Sequence, residues 1–219
     1  MKAVASSIIL ALSLAACAST TTPSNDVIIL NPELHAANAD YAASMAVPRS
    51  PMTMASGATV SNCEEYLALG DGVDIEPAPN NRIPSLEYVT CDSLSVLQDA
   101  LPVPAAYISD SMGESLSTRF DMRSFRSSMH QRTTEEAFTL QALTDHPLKI
   151  GAHVAELDSP SWYFKLEVVA VADIDASGKP DWLIWVVDQS LEGTYLAIYP
   201  LIIYDPVTSG LLTASPLPR

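Results

Sequence analysis

Three strongly apolar runs, joined by very short connections, lie between residues 163 and 204 and restrict the fold more than any other part of the chain. Alternating polarity at the start of 163–174 is typical of a strand, and 182–187 is apolar on both parities, as in a central strand. Connections this short cannot make parallel crossovers, so we predict an antiparallel meander. Pro200 interrupts the third run, 196–204, and donates no ladder hydrogen bond, so that strand is expected at an edge or with a bulge. Period-two alternation also predicts that five apolar residues of the first strand share one face: Phe164, Leu166, Val168, Ala170 and Ala172.

The remaining segments predict helices and short strands around this meander. Leucines at helical spacing predict a helix from Cys91 that is capped by Asp92 or Ser93 and stopped by Pro102, with a shorter helix over 64–69. Weaker patterns predict a helix over 134–143 and strands over 117–124, 150–157 and 211–214.

The first sixteen residues have the pattern of an export signal. Lys2 precedes an apolar run over 4–14, which is shorter than the roughly 20 residues that span a bilayer. Leu14-Ala-Ala-Cys17 resembles the lipobox of bacterial lipoproteins. The resemblance implies cleavage before Cys17, acylation of Cys17 with fatty acids such as palmitate, and, because Ala18 rather than Asp follows, an outer-membrane location facing the periplasm. The alternative is an ordinary secretory signal with a chance cysteine.

Composition and charge limit the partners of the processed chain. Residues 17–57, rich in Ala, Ser, Thr, Met and Pro, predict a flexible tether with one short helix near 33–46. Loss of the signal leaves ten basic and 26 acidic residues, a formal charge of −16. Such a surface repels phosphates, so we expect no nucleic-acid partner. The expected partners are the membrane, through the lipid anchor at Cys17, and an envelope protein.

Two further cysteines, Cys63 and Cys91, remain after processing. An even pair in an exported protein favours a disulfide over a metal or redox pair, since no histidine lies near them in the sequence. We therefore predict one α+β domain over 58–219, in which N-terminal disulfide-linked helices pack on a C-terminal antiparallel β meander.

The turn between the first two runs carries the clearest candidate for a ligand site. It reads DIDASGKPD and places oxygen-bearing side chains at positions 1, 3, 5 and 9 around a glycine at position 6. The pattern is similar to the calcium loops of FG-GAP and VCBS-type β repeats, although Ser177 stands where those loops have an acid and the motif occurs once. The resemblance implies Ca²⁺ as a cofactor, bound by Asp173, Asp175, Ser177, the backbone carbonyl of Lys179, and Asp181. The alternative is a polar turn whose Asp and Ser side chains cap their own backbone.

Function follows less directly from the sequence. The chain contains no nucleophile elbow, zinc-peptidase helix motif or phosphate-binding glycine loop. We therefore assign no catalytic residue and expect a non-enzymatic cell-envelope lipoprotein that acts as a structural or binding module and is stabilised by calcium. Two alternatives remain: a metal-dependent hydrolase that uses the three aspartates, and a protein inhibitor or assembly factor with an exposed apolar patch.

Two groups of residues allow both a structural and a binding interpretation. The tryptophans Trp162, Trp182 and Trp185 fall in strands, where a place in the core is the usual role, although tryptophans also line sugar sites. Ion pairing with the acidic surface is favoured over an anion-binding face for four arginines: Arg119, Arg123, Arg126 and Arg132.

Overall fold

The structure is a computed structural model that describes residues 27–69, 84–206 and 209–218. Its helices are α1 Pro32–Ala39, α2 Tyr41–Ala46, α3 Cys63–Ala68, α4 Pro84–Asp99 and α5 Met112–Thr118. Its strands are β1 Ile28–Ile29, β2 Met52–Thr53, β3 Thr59–Val60, β4 Leu148–Ile150, β5 Val154–Asp158, β6 Trp162–Ala172, β7 Asp181–Ser190 and β8 Leu196–Ile203. Short 3-10 turns lie at Ala105–Tyr107, His130–Arg132 and Gln141–Leu143.

The central sheet has the order β4-β5-β6-β7-β8, and every neighbouring pair is antiparallel, which confirms the predicted meander. The β1 strand pairs with β6 beyond the end of β5. Pro200 lies in β8, which has β7 as its one neighbour in that order. Its register with β7 is unbroken from Trp182 opposite Ile203 to Gln189 opposite Leu196. The edge position, rather than a bulge, therefore accommodates the proline.

Both faces of the sheet are covered, and by different parts of the chain. On the first face, α1, α3, α4 and the β2–β3 hairpin contribute to one apolar cluster together with Leu183 and Trp185 of β7. On the second face, α5 and the largely irregular segment 119–143 pack against Ile184 and Val186. Burial on both faces explains why β7 is apolar on both parities. The fold is α+β, with disulfide-linked helices on a C-terminal antiparallel sheet, as predicted.

A β-bulge in β6 changes which side chains share a face. Pairing with β7 shifts between Val168 and Ala170, so one extra residue enters the strand at Val169. Phe164, Leu166 and Val168 face the second cluster, whereas Ala170 and Ala172 face the first. The prediction that all five share one face was wrong, because strict alternation assumes an unbroken ladder.

The predicted tether is folded over the part that the structure describes. Leu34 and Met52 are fully buried, and Met45 and Met54 are nearly so. Asn31 caps α1 through its Oδ1 atom, and its Nδ2 atom donates to Glu167 of β6 over 2.8 Å. For residues 27–57 the expectation of a flexible tether is wrong, because these apolar and hydrogen-bonding side chains join the first face of the sheet. The expected short helix near 33–46 is present as α1 and α2.

Three local expectations also differ from the structure. The α4 helix begins at Pro84, so Cys91 lies in its interior and neither Asp92 nor Ser93 is its cap. Instead, Ser93 Oγ donates to the carbonyl of Val89 and accepts from the indole of Trp185. The predicted strand over 117–124 overlaps the end of α5, and the predicted helix over 134–143 forms only the last 3-10 turn.

Candidate functional site

The turn that joins β6 to β7, residues 173–181, is called here the Asp loop. Its start is fixed by two backbone hydrogen bonds between Asp173 and Leu101, of 2.8 and 2.9 Å. Gly178 has a φ of 82° and Ala176 a φ of 57°, both in the left-handed region. Glycine adopts this conformation at little cost, and the alanine is strained in it. The loop therefore turns sharply at the position where the sequence places its glycine.

Backbone amides surround the aspartate side chains of this loop. Asp173 accepts from Ser177 N at 2.9 Å and from Gly178 N at 2.8 Å. Asp181 accepts from Ile174 N at 2.8 Å and from Asp205 N at 2.9 Å. Asp175 Oδ1 shares the Ser177 amide at 3.0 Å. A carboxylate has about four lone-pair positions, so these bonds leave each group able to accept further ligands.

The three carboxylates converge closely enough to hold one ion. Asp173, Asp175 and Asp181 each offer an oxygen, and these oxygens lie within 4.8 Å of one another. Two oxygens bound to the same Ca²⁺ at 2.3–2.6 Å can be at most about 5 Å apart. The structure thus brings together the three aspartates that the sequence singled out, and their spacing satisfies this limit.

Burial makes the negative charge of the loop costly. Asp181 is fully buried and Asp173 is 4% exposed, whereas Asp175 is exposed. Desolvation raises the pKa of Asp181 above its ordinary value, and hydrogen bonding by the Ser177 side chain lowers the pKa of Asp175. The Lys179 ammonium pairs with Asp205. A hard cation would compensate the buried charge with the oxygen ligands that it prefers.

The two other predicted sites have different outcomes. Cys63 and Cys91 form a disulfide with a Cα–Cα distance of 5.2 Å, as predicted. It joins the first residue of α3 to the interior of α4. Cys17 lies outside the described residues. Within the part of the chain that is described, no helix is long and apolar enough to cross a membrane.

A cavity of about 450 Å³, widely open to solvent, lies at the other end of the sheet from the Asp loop. Its walls come from the start of β6, the turn before β8 and the segment around the second 3-10 turn. Six residues line it: Arg126, Ser127, Ser128, Gln131, Trp162 and Tyr195. Sequence reasoning named only Arg126 and Trp162 among these, each as the less favoured binding interpretation. Trp182 and Trp185 are buried in the two core clusters, as expected for strand tryptophans.

Of the four arginines, Arg123 forms the expected ion pair, with Asp121, and also lies over the Phe138 ring. Arg119 donates to the carbonyl of Gly210. Arg132 lies 5.9 Å from the centre of the Trp162 ring. Within the described ranges, Arg123 is the arginine of this group that is seen in an ion pair, and Arg126 lines the cavity.

No protein-family model matches the chain, and no curated protein or solved structure is significantly similar to it. The lipobox and calcium-loop resemblances therefore rest on the residues that carry them.

Proposed function

We propose that this chain is a cell-envelope lipoprotein, anchored in the outer membrane through Cys17, whose folded part is a non-enzymatic structural or binding module stabilised by Ca²⁺ in the Asp loop. The observation that carries the calcium proposal is the convergence of Asp173, Asp175 and Asp181, two of which are buried. The anchor is supported by the Leu14–Cys17 sequence alone.

In this proposal the ion acts on stability and on loop order. Asp173, Asp175 and Asp181 would bind it together with Ser177 and the Lys179 carbonyl, and it would neutralise charge that the fold has removed from water. The loop joins the two longest strands of the sheet. Calcium would therefore stabilise the β6–β7 pairing at the end where the chain reverses.

The test is thermal unfolding of the chelator-treated protein with and without calcium. A ligand that binds only the folded state adds about 2.7 kcal/mol at 100 times its Kd. At about 2–4 °C per kcal/mol, we expect the Tm to rise by roughly 5–10 °C, and by less with magnesium, which requires an octahedral site. Asp175→Asn should reduce this rise, Asp173→Ala should abolish it, and Ser177→Asp should enlarge it by adding a carboxylate.

Asp110→Asn is the matched control for Asp175→Asn, because it removes the same charge from an exposed residue outside the loop. It should leave the calcium response intact. If millimolar calcium leaves the Tm of the wild type unchanged, the Asp loop is a self-capped polar turn. The hydrolase alternative would fail with it, since that mechanism would use the same three aspartates.

The anchor is tested separately by metabolic labelling with a fatty acid. The wild type should incorporate label and Cys17→Ser should not. Label that persists in Cys17→Ser would contradict anchoring at this residue without affecting the calcium proposal.

A further inference from the structure

The cavity at the far end of the sheet is built on a fixed polar frame. Asp188 is fully buried and accepts from Ser128 N at 2.7 Å, from Ser128 Oγ at 2.5 Å and from the Tyr195 hydroxyl at 3.0 Å. The Trp162 indole donates to Ser128 Oγ at 2.8 Å. Ser128 and Asp188 therefore hold both aromatic side chains by their polar atoms, and this arrangement fixes the orientation of the two rings.

The aromatic rings themselves form a platform in the wall of the cavity. The centres of the Trp162 and Tyr195 rings are 6.1 Å apart, and their planes differ by 15°. Tyr195 is 43% exposed, although its hydroxyl donates to the buried carboxylate of Asp188. Because the polar atoms of both rings are already engaged, what the rings offer a ligand is apolar surface.

Other groups in the wall have unused hydrogen-bonding capacity. The Ser127 hydroxyl oxygen is buried and has no hydrogen-bond partner among the described residues. Within the same part of the chain, no ion pair or side-chain hydrogen bond is made by Arg126 or Gln131. Arg126 and Gln131 are exposed, so their guanidinium and amide groups are accessible to a polar ligand in the cavity, whereas the Ser127 hydroxyl is buried in the wall.

These features together restrict the chemistry of a ligand. The volume of the cavity suits a small molecule, and its lining combines two aromatic side chains with four polar residues. A ligand with an apolar ring face and several hydroxyl groups fits an aromatic platform flanked by an amide and a guanidinium. Arg126 adds a preference for an anion, and guanidinium pairs best with a carboxylate or phosphate. A nucleic acid is disfavoured, because the chain as a whole carries a formal charge of −15.

We propose that this cavity is a binding site for a sugar ring that bears a carboxylate, with the ring on Trp162 and Tyr195 and the carboxylate on Arg126. Gln131 would bind a hydroxyl or amide group of the sugar. The site is independent of the Asp loop, since β6, eleven residues long, separates the two ends of the sheet. Loss of calcium binding and loss of sugar binding are therefore separable results.

Tryptophan fluorescence and calorimetry of the intact protein test this proposal. Glucuronic acid and N-acetylmuramic acid are the two probes, because both are carboxylated sugars but one is a uronic acid and the other an amino sugar. We expect a saturable response to at least one of them below about 10 mM. The probe that binds more tightly identifies the class of sugar that the cavity prefers. Glucose, which lacks the carboxylate, should bind at least about tenfold more weakly.

Arg126→Gln and Gln131→Ala are the most informative variants, because these side chains have no partner in the described structure and their loss should leave the Tm unchanged. Arg126→Gln should weaken binding of the acidic sugar about tenfold and that of glucose much less. Tyr195→Ala should weaken the binding of both the acidic sugar and glucose. Its matched control is Tyr107→Ala, which removes a comparably exposed tyrosine, 47% exposed, outside the cavity.

Three results would overturn the proposal. The first is the absence of a saturable response to either acidic sugar. The second is equal binding of glucose and the acidic sugars, which would remove the role assigned to Arg126. The third is a loss of binding in Tyr107→Ala as large as that in Tyr195→Ala, which would place the ligand elsewhere.

Discussion

Substitution of Asn31 by alanine tests whether the segment before residue 58 belongs to the fold. Asn31 Oδ1 accepts from the amides of Glu33 and Leu34, both at 3.0 Å, and Nδ2 donates to the buried carboxylate of Glu167 at 2.8 Å. Loss of an N-cap costs about 1 kcal/mol. Loss of a hydrogen bond to a charged group costs roughly 1.5–3 kcal/mol, and Glu167 keeps its pair with Lys165, which favours the lower end. We expect a total loss of about 2–3 kcal/mol.

Urea unfolding followed by tryptophan fluorescence measures this loss. The matched control is Asn62→Ala, which removes a cap from α3 that makes one bond, to Glu65 N at 2.8 Å, and reaches no other element in the described structure. That variant should lose only about 1 kcal/mol. If Asn31→Ala is as stable as the wild type, the segment around α1 does not contribute to the cooperative fold and the tether prediction would be restored.

Three further perturbations address the disulfide, the close packing of α5 and acid stability. Replacing both disulfide cysteines with alanine should cost ~3.5 kcal/mol in urea unfolding, from the entropy of a loop whose ends are 28 residues apart; an unchanged midpoint would contradict this. A Cβ at Gly113 would overlap the carbonyl oxygens of Gly151 and Val154, so Gly113→Ala should lower the Tm by several degrees, whereas Gly151→Ala, which meets only ordinary contacts, should not. Hydrogen bonding by Arg123 lowers the pKa of Asp121 below 3.8, so the stability that this carboxylate contributes is present above that pH and is lost as the pH falls further. The difference in stability between wild type and Asp121→Asn should therefore shrink below about pH 4, and a difference that does not change with pH would refute the assignment.

The sheet was predictable because its pattern is local. Each of the three long strands carries its own apolar signal, and turns of a few residues leave the chain no topology but a meander. The bulge at Val169 was not predictable, since nothing in an alanine- and valine-rich run marks where one extra residue enters the ladder. A single such residue moved Ala170 and Ala172 to the opposite face.

Side-chain hydrogen bonds to the backbone explain two of the failures. The Thr134 hydroxyl accepts from the amides of Glu136 and Ala137, and the Phe138 carbonyl accepts from Met122 N. These bonds fold 134–138 as a turn tied to a neighbouring segment, although the acidic residues and leucines of 134–143 have helical spacing. At the end of α5, the hydroxyls of Ser117 and Thr118 both donate to the Glu114 carbonyl, which keeps them helical where alternation predicted a strand.

The segment 27–57 was misjudged for a different reason. Its composition is that of a linker, and only four of its apolar side chains are buried deeply: Leu34, Met45, Met52 and Met54. Methionine is flexible enough to fill irregular gaps in a core, so buried methionines need no regular spacing in the sequence. No periodic pattern therefore predicts their burial. The surface against which these residues pack is formed by β6 and α4, which lie far away in the sequence.

The two candidate sites differ in the same way, and this difference explains why only one was proposed from the sequence. All residues proposed to bind the ion fall within the nine consecutive residues of the Asp loop, so their spacing alone predicts convergence, and the turn at Gly178 brings the three carboxylates together. The cavity combines residues 126–131 with Trp162 and Tyr195, which come together only because Trp162 lies opposite Ser190 in the β6–β7 register and Ser128 bonds to Asp188. A site assembled by strand register has no sequence spacing of its own. Such a site can be predicted only after the strand register is known. A one-residue shift of β6 against β7 would turn the Trp162 side chain to the other face of the sheet and remove the platform.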